Sequence, residues 1–222
     1  MRRRALRLPR GARSVPATSW SARGSRWRAR PTTLVALVAG LWLFGSGEAM
    51  LIEAGIGNSP WTVFSEGLGD RVGISIGAAT FATSAAILLV WPLLRERPGL
   101  GTLANAVVIA VALDVMLPVL PHPDAAWLQI VQTLAGIAMV GVGSGLYLTC
   151  NLGPGPRDGL MTGLHRVLDQ PVARVRLAIE VSVVAVGWAL GGTVGVGTVL
   201  FALLIGSAVA LGLAAAAAVS DA

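Results

Sequence analysis

Three acidic residues lie inside apolar stretches of this chain, where an ionisable group is costly. Glu48 lies in a run of small residues, and Asp114 has no charged residue near it in sequence. Ionisable side chains within membrane spans generally mark solute paths, proton relays or ion pairs. We predict that Glu48 and Asp114 belong to a buried polar site or to a proton-coupling pathway. Glu180 follows Arg176 by four positions, so two interpretations stay open: the same intramembrane site, or a local ion pair.

A polar, glycine-rich motif occurs twice. The first copy, residues 55–68, is GIGNSPWTVFSEGL, and the second, residues 151–164, is NLGPGPRDGLMTGL. Each copy holds a proline suited to the first turn of a helix, where the missing N–H costs nothing. Ser59 is a good helix N-cap before the first proline, and Gly155 is an allowed one before the second. Each motif therefore predicts a turn and then a half-helix too short to cross a membrane. The predicted half-helices are Trp61–Val72 and Arg157–Leu168.

The half-helix starts suit a particular kind of ligand. Helix N-termini present free N–H groups and partial positive charge, which favour an anion or a polar solute. Irregular backbone survives at membrane depth only when it is buried in protein or lines a wet cavity. We therefore predict two re-entrant half-helices that bind a small solute; the alternative is two elbows lying flat at the interface without a ligand. The predicted solute-binding residues are Gly57, Ser59, Pro60, Trp61, Gly153, Gly155, Pro156 and Asp158.

Three side chains at these starts carry further predictions. Asp158, at the third position of its half-helix, is predicted either to satisfy the helix start or to act as a ligand at the mouth of the site. Arg157 is predicted to anchor the topology of the chain. Trp61 is predicted to be an interfacial aromatic or to shape a pore.

The composition places this chain among integral membrane proteins. Hydrophobic residues make up 55% and charged residues 13% of the sequence, whereas soluble domains carry about 25% charged residues. The net charge of +6 does not indicate nucleic-acid binding, because there is no lysine and ten of the 17 basic residues are arginines within residues 1–30. Cys150 is the single cysteine, so an intrachain disulfide is excluded.

The N-terminal residues 1–32 have too little apolar content to pack a core, and we predict a disordered cytoplasmic tail. One alternative is that this tail lies on anionic lipid, with Trp20 and Trp27 as interfacial anchors. Another is a start codon assigned too far upstream, in which case the tail is not translated.

An internal repeat organises the rest of the chain. Several residues of the first half recur 96 positions later as the same residue type, which indicates a duplicated unit and not chance similarity. The recurring residues are Gly40, Gly45 and Gly47 with Gly136, Gly141 and Gly143, and the GLGT of residues 99–102 with the GVGT of residues 195–198. Six apolar segments have about the 20 residues that a span requires. They are Thr33–Ala54, Ile74–Leu94, Thr102–Leu120, Ala126–Cys150, Val172–Gly191 and Thr198–Ala218.

Two consecutive units of three spans must have opposite orientations in the membrane. The arginines agree with this, because all but Arg71 then lie on the cytoplasmic side, as the positive-inside rule requires. We predict an all-α membrane protein with six transmembrane helices in two inverted three-helix repeats, each with a half-helix after its first span. The repeats are predicted at residues 33–121 and 122–218, in the inner membrane, with both termini cytoplasmic.

The two motifs, together with GWALGGTVGVGT at residues 187–198, resemble the YczE family of bacterial inner-membrane proteins and, more distantly, the YitT-type proteins. The resemblance covers about residues 33–215. It implies a small polytopic membrane protein, sometimes labelled a permease, without implying a reaction or a solute.

These observations predict a transporter or channel-like permease for a small polar or anionic solute. The alternatives are a non-transporting membrane scaffold or regulator and, behind both, a membrane enzyme. We expect no enzyme, because the chain has no HExxH, Walker, GxSxG or CxxC motif. We also expect no cofactor, no metal and no nucleic acid as partner. The expected partners are the lipid bilayer and a small-molecule solute, and a homo-oligomer stays open.

Overall fold

The computed structural model describes residues 15–221, which form eight α-helices and no β-strand. The predicted all-helical class is confirmed. The two half-helices follow the first and the fifth helix. The helices are α1 (Pro31–Ala54), α2 (Pro60–Val72), α3 (Ile76–Val90), α4 (Leu100–Met116), α5 (Ala126–Thr149), α6 (Pro156–Leu168), α7 (Val172–Leu190) and α8 (Val196–Asp221).

Three of the described helices, α1, α5 and α8, are long and apolar enough to cross a membrane alone. A fourth span is available if α2 and α3, which meet at a bend of 110°, are counted as one broken helix. Two predicted spans are shorter as helices than their apolar segments: α3 ends at Val90, just before Pro92, and α4 ends at Met116, just before Pro118. A proline cannot continue a helix because it lacks the N–H and clashes with the preceding turn.

The centre of the protein is the crossing of α1 and α5. A methyl group on Gly47 would lie 2.6 Å from the carbonyl oxygen of Gly136, and one on Gly143 would lie 2.5 Å from that of Gly40. Only glycine permits so close a backbone approach, as in small-residue packing of membrane helices generally. Because the contacts pair an early residue of α1 with a late residue of α5, the two helices run antiparallel.

The other contacts repeat between the two quartets, α1–α4 and α5–α8. α4 packs on α1 as α8 packs on α5, and each half-helix packs between α3 and α7. The motif turns exchange partners across the quartets. The Gly197 N–H donates to the Ile56 carbonyl at 2.8 Å, and the Gly101 N–H donates to the Leu152 carbonyl at 2.9 Å. Each donor and each acceptor has its counterpart 96 residues away, so the sequence repeat is also a repeat of contacts.

The two quartets differ in how their last two helices pack, α3 with α4 and α7 with α8. α3 packs along α4, and Asp114 ties them by accepting from Ser75 Oγ at 2.7 Å and from the Gly77 N–H at 2.8 Å. Over the described helices, α7 and α8 do not pack along each other. The residue 96 positions after Asp114 is Ala210, which cannot accept these bonds. The counterpart of Gly77 is Ala173, and its methyl group hinders so close a packing, since a Cβ on Gly77 would lie 2.3 Å from a carbonyl oxygen of α4.

Residues 15–30 differ from the disordered tail that the composition predicts. The Ala22 N–H donates to the Cys150 carbonyl at 3.0 Å, and the Arg26 carbonyl accepts from the Leu100 N–H at 3.0 Å. Trp20 Nε1 donates to Thr149 Oγ1 at 3.0 Å. The segment is held mainly by backbone groups at helix ends, which composition does not reveal. Residues 1–14 of the predicted tail lie outside the described residues.

Candidate functional site

A cavity of about 290 Å³ lies where the first turns of α2 and α6 meet, among α1, α4, α5, α7 and α8. Both quartets contribute to its walls, and many lining residues are counterparts 96 positions apart. The lining residues are Phe44, Glu48, Ser59, Pro60, Trp61, Asn105, Ile109, Val140, Ser144, Tyr147, Leu148, Gly155, Arg157, Asp158, Met161, Arg176, Glu180, Phe201, Ile205, Gly206 and Val209.

Glu48 is the acidic group of the first quartet in this cavity, and it is only 2% exposed. Its Oε2 accepts from Ser59 Oγ and from Thr62 Oγ1, each at 2.7 Å. Ser59 is the N-cap residue of α2, as predicted, but its hydroxyl makes no capping hydrogen bond to the helix backbone. The carboxylate on α1 is the stronger acceptor, and the bond fixes the start of the half-helix to α1.

Arg157 and Trp61 occupy equivalent positions in the two half-helices and lie against each other. The guanidinium carbon is 5.2 Å from the centre of the indole ring, within the range of a cation–π interaction. Within residues 15–221, Arg157 makes no hydrogen bond and no ion pair, and Trp61 Nε1 is a buried donor without an acceptor. A buried donor left unpaired costs about 1–3 kcal/mol.

Asp158 lies beside Arg157, and its Oδ2 accepts from the Tyr147 hydroxyl at 2.7 Å. This bond joins the start of α6 to α5, as the bonds to Glu48 join the start of α2 to α1. On α7, Arg176 Nε donates to Glu180 Oε1 at 2.7 Å, which is the local ion pair that their spacing indicates. Both members of this pair also line the cavity, so Glu180 forms the local ion pair and is a cavity residue as well.

The structure brings together eight of the predicted site residues and leaves four outside the cavity. Gly57 and Gly153 form the turns before the half-helices, with φ of +116° and +109°. The Pro156 carbonyl accepts from Trp91 Nε1 at 3.2 Å. Asp114 is exposed and holds α3 to α4, so the structure gives it a structural contact away from Glu48. The eight in the cavity are Glu48, Ser59, Pro60, Trp61, Gly155, Asp158, Arg176 and Glu180.

Sequence reasoning missed Arg157 as a cavity residue, and it missed Thr62 and Tyr147 as partners of the acids. The repeat offset could have identified Arg157 as a cavity residue. It is the counterpart of Trp61, which was already predicted at the site, and residues related by the offset lie near one another around the cavity. No sequence pattern indicates that Tyr147 bonds to Asp158, because the two residues lie on different helices and meet only through the tertiary fold.

The chemical groups in the cavity differ between the quartets. The first supplies a carboxylate, Glu48, already held by two hydroxyl groups. The second supplies Asp158, bonded to Tyr147, the Arg176–Glu180 ion pair, and Arg157, whose N–H donors are unused within the described residues. The adjacent helix starts favour negative charge. Among residues 15–221, no three His, Cys, Asp or Glu side chains come together in a way that could hold a metal ion.

Comparisons with known proteins agree with the resemblance seen in the motifs. The profile of DUF6198, described as a family of unknown function, matches residues 31–212. An uncharacterized protein of Haemophilus influenzae is 44% identical over 89% of this chain and 90% of its own length. The uncharacterized membrane protein YczE of Bacillus subtilis is 33% identical over 76% of this chain and 79% of its own length. The uncharacterized protein YyaS of Bacillus subtilis is 22% identical over 75% and 85%. The predicted YczE-like family is confirmed, and no solved structure matches the chain.

Proposed function

We propose a permease function for this chain, which belongs to the DUF6198 family: it moves a small polar or anionic solute across the membrane. The observation that carries the proposal is the polar cavity between the half-helix starts, inside a bundle of apolar helices. Buried ionisable groups in a membrane protein generally mark a solute path. Two interrupted helices meeting at a polar site between repeats is the arrangement of many secondary transporters.

We propose six spans in two inverted repeats, with α3, α4 and α7 as short or charged spans beside α1, α5 and α8. The antiparallel crossing of α1 and α5 supports this, because equivalent helices of inverted units must run in opposite directions. The exchanged backbone bonds of the motif turns support it as well. Both termini would be cytoplasmic, and the membrane would be the bacterial inner membrane.

The cavity favours a small anionic solute. Its volume of about 290 Å³ is at the lower end of ordinary ligand pockets, which span about 300–1,000 Å³. Arg157 lines the cavity and makes no hydrogen bond within residues 15–221, so its guanidinium suits a carboxylate or phosphate oxygen. Glu48 and Asp158 already accept hydrogen bonds from the protein, so they hold the half-helices in place and limit the space that an anion can occupy.

The two half-helix ends are predicted to face opposite sides of the membrane. Val72 and Leu168 are counterparts at the ends of α2 and α6, with 61% and 55% exposure. In a Cys150→Ser background, Val72→Cys should react with a membrane-impermeant thiol reagent in intact cells. Leu168→Cys should react only after the inner face is opened. The unmodified chain is the control, because Cys150 is buried. Reaction of both cysteines from the same side would contradict the inverted repeats.

The transport proposal is tested by flux into liposomes containing the purified protein. A panel of small radiolabelled anions, with neutral polar solutes of similar size, should include at least one whose uptake is saturable and exceeds that of protein-free liposomes. If neither these solutes nor a longer-chain anion moves although the protein elutes as one folded species, transport is contradicted. A non-transporting scaffold or regulator would then be favoured, acting through residues 15–30, which dock on the ends of α4 and α5.

A further inference from the structure

The break in the repeat leaves one side of the cavity without a wall. Arg176 and Glu180 of α7 line the cavity, and so does one side of α8, yet these helices do not pack along each other. We name this gap the α7–α8 seam. Its α8 side consists of Phe201, Ile205, Gly206 and Val209.

The corresponding place in the first quartet is closed. The counterparts of Arg176 and Glu180 are Thr80 and Ser84, which are 2% and 3% exposed because α4 packs there. The Arg176 side chain is 47% exposed and that of Glu180 is 23% exposed. Each is the other's polar partner, and both also line the cavity. The polar cavity therefore reaches the exposed flank of α7 at the seam.

The two borders of the seam differ in chemistry. The α7 border is an ion pair, whereas the α8 border is apolar apart from Gly206. Gly206 is exposed, and a Cβ added there would meet nothing within 4 Å. An apolar border that leads from the buried lining residues Phe201 and Ile205 to the exposed Gly206 suits a molecule with a charged head and a hydrocarbon chain.

We propose that the seam is a lateral opening and that the solute of the cavity is a single-chain anionic amphiphile. Its carboxylate or phosphate head lies against Arg157, and its chain leaves past the exposed Gly206 into the bilayer. The cavity volume of about 290 Å³ accommodates a head group and few carbon atoms, so the chain must lie outside it. This inference rests on the proposed transport function and gives the chemical class of its solute.

The test uses the full chain in nanodiscs and three photoactivatable probes that share one diazirine-bearing chain: a fatty acid, an alkyl phosphate and a neutral alcohol. Peptide mapping should place the labels of the two anionic probes on the seam, at least about tenfold above the alcohol, because only a charged head forms a charge-assisted hydrogen bond with Arg157. Arg157→Gln should lower this labelling about tenfold. Gly206→Trp should abolish it by filling the seam, and Gly206→Leu is a smaller obstruction if tryptophan prevents folding.

Leu203→Trp is the matched control, since Leu203 lies on α8 outside the cavity lining and is highly exposed; labelling of the seam should not change. Equal labelling by the alcohol, or labelling that Arg157→Gln leaves intact, would show ordinary boundary lipid and overturn the inference. So would disulfide-linked dimers of Gly206→Cys in the Cys150→Ser background, because a second copy would then cover the seam. If excess inorganic phosphate removes the label and unlabelled fatty acid does not, the site binds a free anion. That result would also overturn the inference.

The two proposals can fail separately. Flux of a water-soluble anion that depends on Arg157, without labelling of the seam, would overturn the amphiphile and leave transport standing. Specific labelling of the seam without flux of any probe or solute would leave the amphiphile site standing and overturn transport.

Discussion

Replacing Gly57 by alanine is expected to destabilise the protein by about 2–6 kcal/mol. Its φ of +116° is a backbone conformation that alanine rarely adopts. The added methyl group would also lie 2.5 Å from the Gly195 nitrogen and 2.8 Å from Thr198 Oγ1. The readouts are the melting temperature in detergent and the yield of monodisperse protein.

Gly191→Ala separates the two causes. Gly191 has a φ of +114°, but a Cβ there would meet nothing within 4 Å. This variant should lose only the conformational part, about 1–3 kcal/mol. An equal loss in both variants would show that the close contact between the first motif and the α7–α8 connection does not contribute to stability.

Replacing Arg157 by glutamine is expected to lower transport of an anionic solute at least about tenfold, with the fold retained. The reason is the loss of a charged hydrogen bond to the solute, about 1.5–3 kcal/mol, where 1.4 kcal/mol is a factor of ten. The variant also loses the cation–π interaction with Trp61, so its melting temperature should fall slightly. Initial rates of uptake into liposomes, at equal amounts of folded protein, provide the measurement.

Arg97→Gln is the control for this charge deletion. Arg97 is exposed in the connection between α3 and α4 and lies outside the cavity lining. Its removal lowers the net charge by the same amount and should leave uptake unchanged. If both variants transport at the rate of the unmodified chain, Arg157 does not bind the solute. If both lose activity equally, the effect belongs to net charge.

The sequence by itself determined the features that depend on local spacing. Apolar segments of about 20 residues indicated a membrane protein, and proline after a polar turn placed both half-helix starts at Pro60 and Pro156, where the structure has them. The four-residue spacing of Arg176 and Glu180 gave their ion pair. The repeat could be detected from the sequence because duplicated residues keep their spacing in the chain. It identified the two motifs that hold most of the predicted site residues.

Only the tertiary structure decided which distant groups meet. α1 and α8 are apolar on all sides, so their patterns do not mark an inward face. The side chain of Ser59 could cap its own helix or reach another, and the nearby carboxylate of Glu48 decided the matter. Asp114 accepts hydrogen bonds from the start of α3, whereas Ala210 at the equivalent place cannot, and this difference contributes to the open seam. Such outcomes depend on which surfaces pack together in three dimensions, and local sequence does not encode them.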